Sequence, residues 1–227
     1  MAVDHQTSFP PSASARLGGL LGGGTTGNER LTSAAGGLLI VLLAVIGVTI
    51  VRLGPLLWVH LFVGMVLVGP LLLKLASTGY RFTRYYTDNP RYRRKGPPAL
   101  PLRLMAPIVV LSTLVVFVSG IALLFVGPSS RDTLQPIHKI AFFVWVAFTA
   151  LHVLAHLPAM LNGISADYGP RPGRAPAWEH SFNARDSLNG RVGRALSLTG
   201  ALTFGLVLAI VVIPQFAPWI ASHSFHH

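Results

Sequence analysis

Long apolar stretches alternate with short polar ones along most of this chain. A helix that crosses a bilayer needs about 20 predominantly apolar residues. Five windows meet this requirement: residues 31–51, 55–77, 105–127, 137–160 and 195–216. The pattern therefore predicts an all-α integral membrane protein with five transmembrane helices.

The segments between these windows predict how the helices are connected. Windows one and two are joined by a turn at residues 52–55, and windows three and four by a turn at residues 128–132, which places Pro136 in the first turn of helix four. Each tight turn predicts an antiparallel hairpin, and two hairpins predict an up-down-up-down bundle over residues 31–160. The other segments are a flexible N-terminal tail at 1–30, a basic loop at 78–104, a Gly/Pro-rich linker at 161–194 and a C-terminal tail at 217–227.

The composition supports a membrane protein and limits its chemistry. Hydrophobic residues make up 52% of the chain and charged residues only 11%, against about 25% charged residues in a typical soluble domain. The chain has no cysteine, which excludes disulfides, thiolate metal sites, iron–sulfur clusters and covalent haem attachment. A cofactor would have to be held by nitrogen or oxygen ligands, or by packing.

The distribution of positive charge predicts the orientation in the membrane. The net charge of +11 would suggest a nucleic-acid partner for a soluble protein, but here the arginines are concentrated in the loops at 78–104 and 161–194. On the opposite side the only cations are Arg52, Arg131 and Lys139. The positive-inside rule then places the N-terminus and both basic loops in the cytoplasm and the C-terminus outside. We expect the lipid bilayer, and not nucleic acid, to be the partner of this charge.

Four histidines lie inside the predicted helices, at positions 60, 138, 152 and 156. A histidine in hydrocarbon must be paired, ligated or facing a cavity. Helices two and four run in the same direction, so His60 and His138 differ in depth by about 6 Å, whereas His152 lies about 15 Å deeper than His60. His60 and His138 are therefore the expected pair.

The other two histidines share a helical face with His138. At 100° per residue, His138, His152 and His156 project from one side of helix four, as expected if that side faces a bundle core with cofactors at two depths. The five windows contain no Asp or Glu, which argues against a carboxylate-based proton pump or hydrolase. No nucleotide-binding glycine fingerprint is present.

These residues resemble the bacterial membrane cytochromes b, including the cytochrome b561 type and the cytochrome b subunits of formate dehydrogenases and hydrogenases. The resemblance covers about residues 31–160 and depends on His60, on His138 with Lys139, and on the fourteen-residue step from His138 to His152. It implies a multi-pass protein of the bacterial plasma membrane that holds haem b and relays electrons between quinone and a partner redox subunit. Whether the chain is the electron-transfer subunit of an oxidoreductase stays open.

The resemblance also implies which residues hold the cofactor. One haem would lie between His60 and His138 as axial ligands, with its propionates toward cations such as Arg52 and Lys139. Gly64, Gly69 and Gly120 would allow backbone or porphyrin to approach closely.

A second haem, on His152 or His156, would need a ligand at position 74, where the sequence has a lysine. Lys74 could ligate only as a neutral amine, and otherwise its ammonium would extend to the interface.

Two alternatives remain for the histidines. In a structural membrane protein without a cofactor, they would bond across helices to carbonyls or to hydroxyls such as those of Ser112, Thr113 and Ser119. In a transition-metal binding or transport protein, His152 and His156 would bind zinc or copper, because they lie four residues apart on one helical turn.

Overall fold

The computed structural model describes residues 24–88, 100–168 and 190–224, and all regular structure in these ranges is helical. The helices are α1 (Gly24–Val51), α2 (Leu53–Val66), α3 (Val68–Tyr86), α4 (Leu100–Val126), α5 (Arg131–Tyr168), α6 (Arg191–Val211) and α7 (Ala217–Ser224). Two short 3₁₀ turns, Pro128–Ser130 and Ile213–Phe216, precede α5 and α7.

Five helical segments of the described chain are long and apolar enough to cross a membrane. They are Thr26–Val51 in α1, Leu53–Tyr86 across α2 and α3, Arg103–Val126 in α4, Arg131–Ser165 in α5, and Arg191–Val211 in α6. The prediction of five apolar helices of membrane-spanning length is confirmed. The bundle topology and the side of the N-terminus stay predictions.

The helices are longer than the apolar windows that predicted them. α1 begins at Gly24, within the predicted N-terminal tail, and α5 begins at Arg131, so that Pro136 lies inside the helix and not in its first turn. The negative charge of Asp132, in the first turn of α5, interacts favourably with the positive end of the helix dipole. In the same turn, Arg131 Nε donates to Gln135 Oε1 at 3.2 Å. A polar turn such as this one lengthens the helix beyond its apolar window. A search for apolar residues therefore does not detect it.

The second span is interrupted at Leu67, between α2 and α3. Proline has no N–H to donate to the carbonyl four residues earlier, and Pro70 therefore leaves the carbonyl of Val66 without its helical donor. α6 covers this position, since a Cβ at Gly205 would collide with the Val66 oxygen and a Cβ at Gly69 would collide with the Ala201 oxygen. Two glycines thus let the backbones of α6 and the second span touch.

α4 packs extensively against α5. α1 packs against three helices, namely α2, α3 and α5. α6 packs against both α2 and α3. Within the described part of the chain, α2 and α5 are not among the helix pairs with extensive backbone contact. The two helices that carry His60 and His138 therefore pack mainly against other helices and not against each other.

The C-terminal helix belongs to the core. Phe216 and Trp219 are 1% and 7% exposed and share a buried cluster with Leu57 of α2 and Leu124 of α4. Trp219 Nε1 donates to the carbonyl of Leu123 at 3.2 Å. The predicted tail at 217–227 is thus helical as far as Ser224 and packs against the bundle, while residues 225–227 lie outside the described residues.

Candidate functional site

The candidate site is formed by His60 and His138, near the starts of their helices. Each lies seven residues after its helix begins, at Leu53 and Arg131, about 10 Å along the axis. Both hairpin turns lie at the same end of the bundle, because Leu57 and Leu124 belong to one core cluster. Among the described residues, no hydrogen bond or ring contact joins the two imidazoles.

The hydrogen bond of His60 determines its tautomer. Its Nδ1 lies 2.9 Å from the hydroxyl oxygen of Thr49, which is 1% exposed. That hydroxyl donates its single hydrogen to the carbonyl of Ile46 at 2.6 Å, so it accepts from the imidazole. His60 therefore carries its proton on Nδ1, and Nε2 has the free lone pair.

His138 has the same tautomer for a similar reason. Its Nδ1 lies 3.0 Å from the carbonyl oxygen of Val116, which can only accept, and 3.1 Å from the hydroxyl of Ser119. Ser119 donates to the carbonyl of Val115 at 2.6 Å. Nδ1 of His138 is therefore the donor, and Nε2 again has the lone pair.

A glycine makes room for the second imidazole. A Cβ built at Gly120 would lie 3.0 Å from Cε1 of His138, so the bare backbone of α4 lets the ring lie against it. Of the other glycines expected to allow close approach, Gly69 contacts α6, and Gly64 has nothing within 4 Å of its Cβ position. Gly64 lies one turn after His60, so this open space adjoins the site.

The second ring nitrogen of each histidine, Nε2, is the one that a ligand could use. Among the described residues, neither Nε2 has a hydrogen-bond partner. Histidines that bind a metal almost always donate their other ring nitrogen to a carbonyl or a similar acceptor, which orients the ring and raises the basicity of the ligating nitrogen. The tautomers of His60 and His138 thus leave Nε2 of each ring available as a ligand.

His152 and His156 lie further along α5 than His138. The rings of His152 and His156 lie 4.6 Å apart, centroid to centroid, and Nδ1 of His152 is buried without a hydrogen-bond partner in the described chain. The Nζ of Lys74 donates to the carbonyl of Thr32 in α1 at 2.8 Å. Lys74 thus reaches across to α1, and the two arrangements considered from the sequence stay predictions.

The cations near the two hairpin turns do not contact His60 or His138 in the described chain. Arg52, between α1 and α2, and Lys139 of α5 are exposed, and Arg131 is bonded to Gln135. No contact found in the described chain connects Arg52 or Lys139 with His60 or His138.

The structure also shows the partners of the three hydroxyls named for a protein without a cofactor, and it allows a search for transition-metal sites. Ser119 does bond to His138, but Thr113 accepts from Trp145 Nε1 at 2.8 Å and Ser112 bonds to carbonyls of its own helix. Residues 24–88, 100–168 and 190–224 contain no group of three or more His, Cys, Asp or Glu side chains that could hold a metal ion. A haem iron needs only two ligands from the protein, because the porphyrin supplies the other four.

Sequence reasoning missed Thr49, although a signal for it exists. Thr49 and His60 are equally distant from residues 54–55 in the predicted turn, and Ser119 and His138 are equally distant from the turn at residues 128–129. Residues equally distant from the turn of an antiparallel hairpin lie at the same depth. Each hairpin therefore places a hydroxyl beside its histidine.

No family model, no curated protein and no solved structure matches this chain. The resemblance to membrane cytochromes b therefore depends on the residues discussed above, and it stays a prediction.

Proposed function

We propose that this protein is a membrane-embedded, b-type haem electron-transfer protein with His60 and His138 as its axial ligands. One observation carries the proposal: both imidazoles use Nδ1 as a hydrogen-bond donor, so that both Nε2 lone pairs remain for a metal. Histidines that served only to join helices would have no need of the same tautomer in both hairpins.

The chain's own residues would orient the ligands. Thr49 holds the ring of His60, while Val116 and Ser119 hold that of His138, and these acceptors make each Nε2 a stronger donor to the metal. Haem b, when bound, would supply a one-electron couple tuned by its two axial imidazoles and by the apolar surroundings. The lack of extensive backbone contact between α2 and α5 is compatible with a group held between them.

We propose one haem and not two. The Nζ of Lys74 donates to the Thr32 carbonyl of α1, and only a neutral amine would have a lone pair for a metal. His152 and His156 then have each other and Lys74 as neighbours, and no histidine of another helix is near them in the described chain. Lys74 and Arg81 would also repel a zinc or copper ion at these two histidines, which weakens the metal-transport alternative.

The wider setting is part of the same proposal. The hairpins would form an up-down-up-down bundle in a bacterial plasma membrane, with the N-terminus in the cytoplasm and the haem in the outer half. Because the site lies between apolar helices, a lipid-soluble quinone could reach it from the bilayer. A partner redox subunit would then exchange electrons with it, which makes this chain a relay or a subunit of an oxidoreductase.

The reduced-minus-oxidised absorption spectrum of the detergent-purified protein tests the proposal, with the haem quantified as its pyridine complex. We expect one haem b per chain, and its near-complete loss in His60→Ala and in His138→Ala. Ser112→Ala is the matched control, since Ser112 is buried but bonds only within its own helix. Size-exclusion profiles and helical circular dichroism would verify that each variant folds. A colourless wild type, or both histidine variants retaining haem, would refute the ligand assignment.

A further inference from the structure

The second span continues well beyond its apolar window. That window ends at residue 77, whereas the helical span Leu53–Tyr86 has 34 residues, or about 51 Å of helix. A bilayer measures about 40–45 Å when its headgroups are included. In a bilayer, the last turns of α3 would therefore lie in the headgroup layer or at its surface.

A hydrogen bond from α4 keeps the end of α3 near this layer. Arg103 is the first residue of the third apolar span, and its Nη2 donates to the hydroxyl oxygen of Tyr86 at 3.3 Å. Tyr86 is therefore held close to the level at which α4 would enter the hydrocarbon. The end of α3 thus lies beside the membrane surface and does not project far away from it.

Exposed aromatic rings surround this end of α3. Tyr80, Phe82 and Tyr86 are 52%, 64% and 56% exposed, and the ring centroids of Phe82 and Tyr86 lie 4.5 Å apart. Tyrosine is enriched at membrane–water interfaces because its ring is apolar and its hydroxyl is polar. Exposed rings at this level are therefore expected to contact lipid headgroups.

Two exposed arginines are held against these tyrosines. The guanidinium carbon of Arg84 lies 5.8 Å from the centroid of the Tyr80 ring, and Arg103 is bonded to Tyr86. Among the described residues, no carboxylate forms an ion pair with either of these arginines. Because a guanidinium has five N–H donors, both arginines retain donors for an anion.

We propose that Tyr80, Arg84, Tyr86 and Arg103 form a docking surface for the headgroups of anionic phospholipids. The arginines would donate to the phosphate oxygens, and the rings would lie beside the glycerol and the first methylenes of the lipid. The choline of a zwitterionic lipid would instead bring a cation close to two arginines, which repel it. The surface lies at the opposite end of the second span from His60 and does not depend on haem.

A fluorophore at the end of α3 can report which lipids gather there. The natural chain has no cysteine, so Thr78→Cys, at an exposed position of α3, can be labelled alone with bimane. The full-length protein is reconstituted into phosphatidylcholine vesicles with a trace of nitroxide-labelled lipid, whose label lies near the top of the acyl chain. We expect labelled phosphatidylglycerol to quench the bimane at least about twofold more strongly than labelled phosphatidylcholine.

Arginine variants of the bimane-labelled protein show whether this surface causes the preference. Arg84→Gln combined with Arg103→Gln should make the two lipids quench equally, and Arg84→Lys combined with Arg103→Lys should retain part of the preference because the charges remain. Lys139→Gln is the matched control, since it removes an exposed cation at the other end of the bundle and should keep the full preference. Size-exclusion profiles and helical circular dichroism would verify that each variant folds.

Equal quenching by the two lipids in the protein that keeps both arginines would overturn the proposal. A preference that persists after both arginines are changed to glutamine would also overturn it. Either result would favour a protein partner for these rings and arginines in place of a lipid.

Discussion

At the residue scale, the most informative feature is the pairing of His60 and of His138 with a hydroxyl of its own hairpin. Thr49 and Ser119 each donate to a carbonyl of their own helix and can therefore only accept from the imidazole. This order of donors determines which ring nitrogen is protonated, and through it which nitrogen is available to a metal. Thr49 and Ser119 thus determine which imidazole nitrogen could bind a metal, although neither would contact the metal itself.

Thr49→Val tests this role, because it keeps the shape of the side chain and removes the acceptor. The buried Nδ1–H of His60 would lose its partner, and loss of such an outer-shell partner typically costs 10–100-fold in metal affinity. We expect about that loss in haem affinity, measured by titrating apoprotein with haem, and a changed midpoint potential. Thr83→Val is the control, since the Thr83 hydroxyl bonds only to the carbonyl of Gly79 on an exposed turn. Equal haem affinity in the wild type and Thr49→Val would show that the hydrogen bond does not orient a ligand.

At the element scale, the interruption of the second span explains where α6 packs. Pro70 frees the carbonyl of Val66, and Gly205 brings the backbone of α6 against that same oxygen. Small residues are common at helix interfaces in membranes because they let the backbones approach closely. Van der Waals packing at this short distance stabilises helix pairs in lipid, where the hydrophobic effect does not drive their association. A proline in one helix and a glycine in another thus specify a contact between segments about 135 residues apart in the chain.

Gly205→Leu should disrupt this contact. A side chain at position 205 would collide with the Val66 carbonyl, which belongs to the backbone and cannot move aside cheaply. Overpacking typically costs about 1–3 kcal/mol, so we expect the Tm in detergent to fall by several degrees, at roughly 2–4 °C per kcal/mol. Gly200→Leu is the matched control on the same helix, since nothing lies within 4 Å of its Cβ position. If both variants unfold at the wild-type temperature, α6 does not depend on this contact.

At the scale of the whole molecule, the asymmetry of charge predicts the orientation. The arginines concentrate in the segments at 78–104 and 161–194, whereas both hairpin turns lie at the opposite ends of the spans. The negative surface potential of the cytoplasmic leaflet attracts such basic segments, and the positive-inside rule summarises the result. The two hairpin turns, and with them the His60–His138 pair, would then face the outside.

Cysteine labelling can test this orientation directly, because the natural chain has no cysteine. We expect a membrane-impermeant maleimide to label the Ser129→Cys variant in intact cells. The Ser181→Cys variant should be labelled only after the membrane is permeabilised. The reverse pattern would place the hairpin turns in the cytoplasm and invert the predicted topology.

The sequence by itself determined the features that depend on local composition and on chain connectivity. Apolar length alone predicts the five membrane-length helices, because each helix satisfies its own backbone hydrogen bonds and needs no partner to be recognised. Connectivity predicts that His60 and His138 lie at the same end, since both follow a tight turn. The limits of the helices were harder to predict, because polar turns such as the one at Arg131 continue a helix beyond the apolar window.

Only the tertiary structure decided how these elements meet side by side. Hydropathy does not encode the lateral order of helices, so it could not show that Lys74 would reach the carbonyl of Thr32 or that Gly36 would leave it room. The same holds for the imidazole of His138 against Gly120 and for the burial of Trp219 in the core. Each of these contacts joins segments distant in sequence, and its physical basis is the fit of particular atoms between packed helices, which exists only after the bundle has assembled.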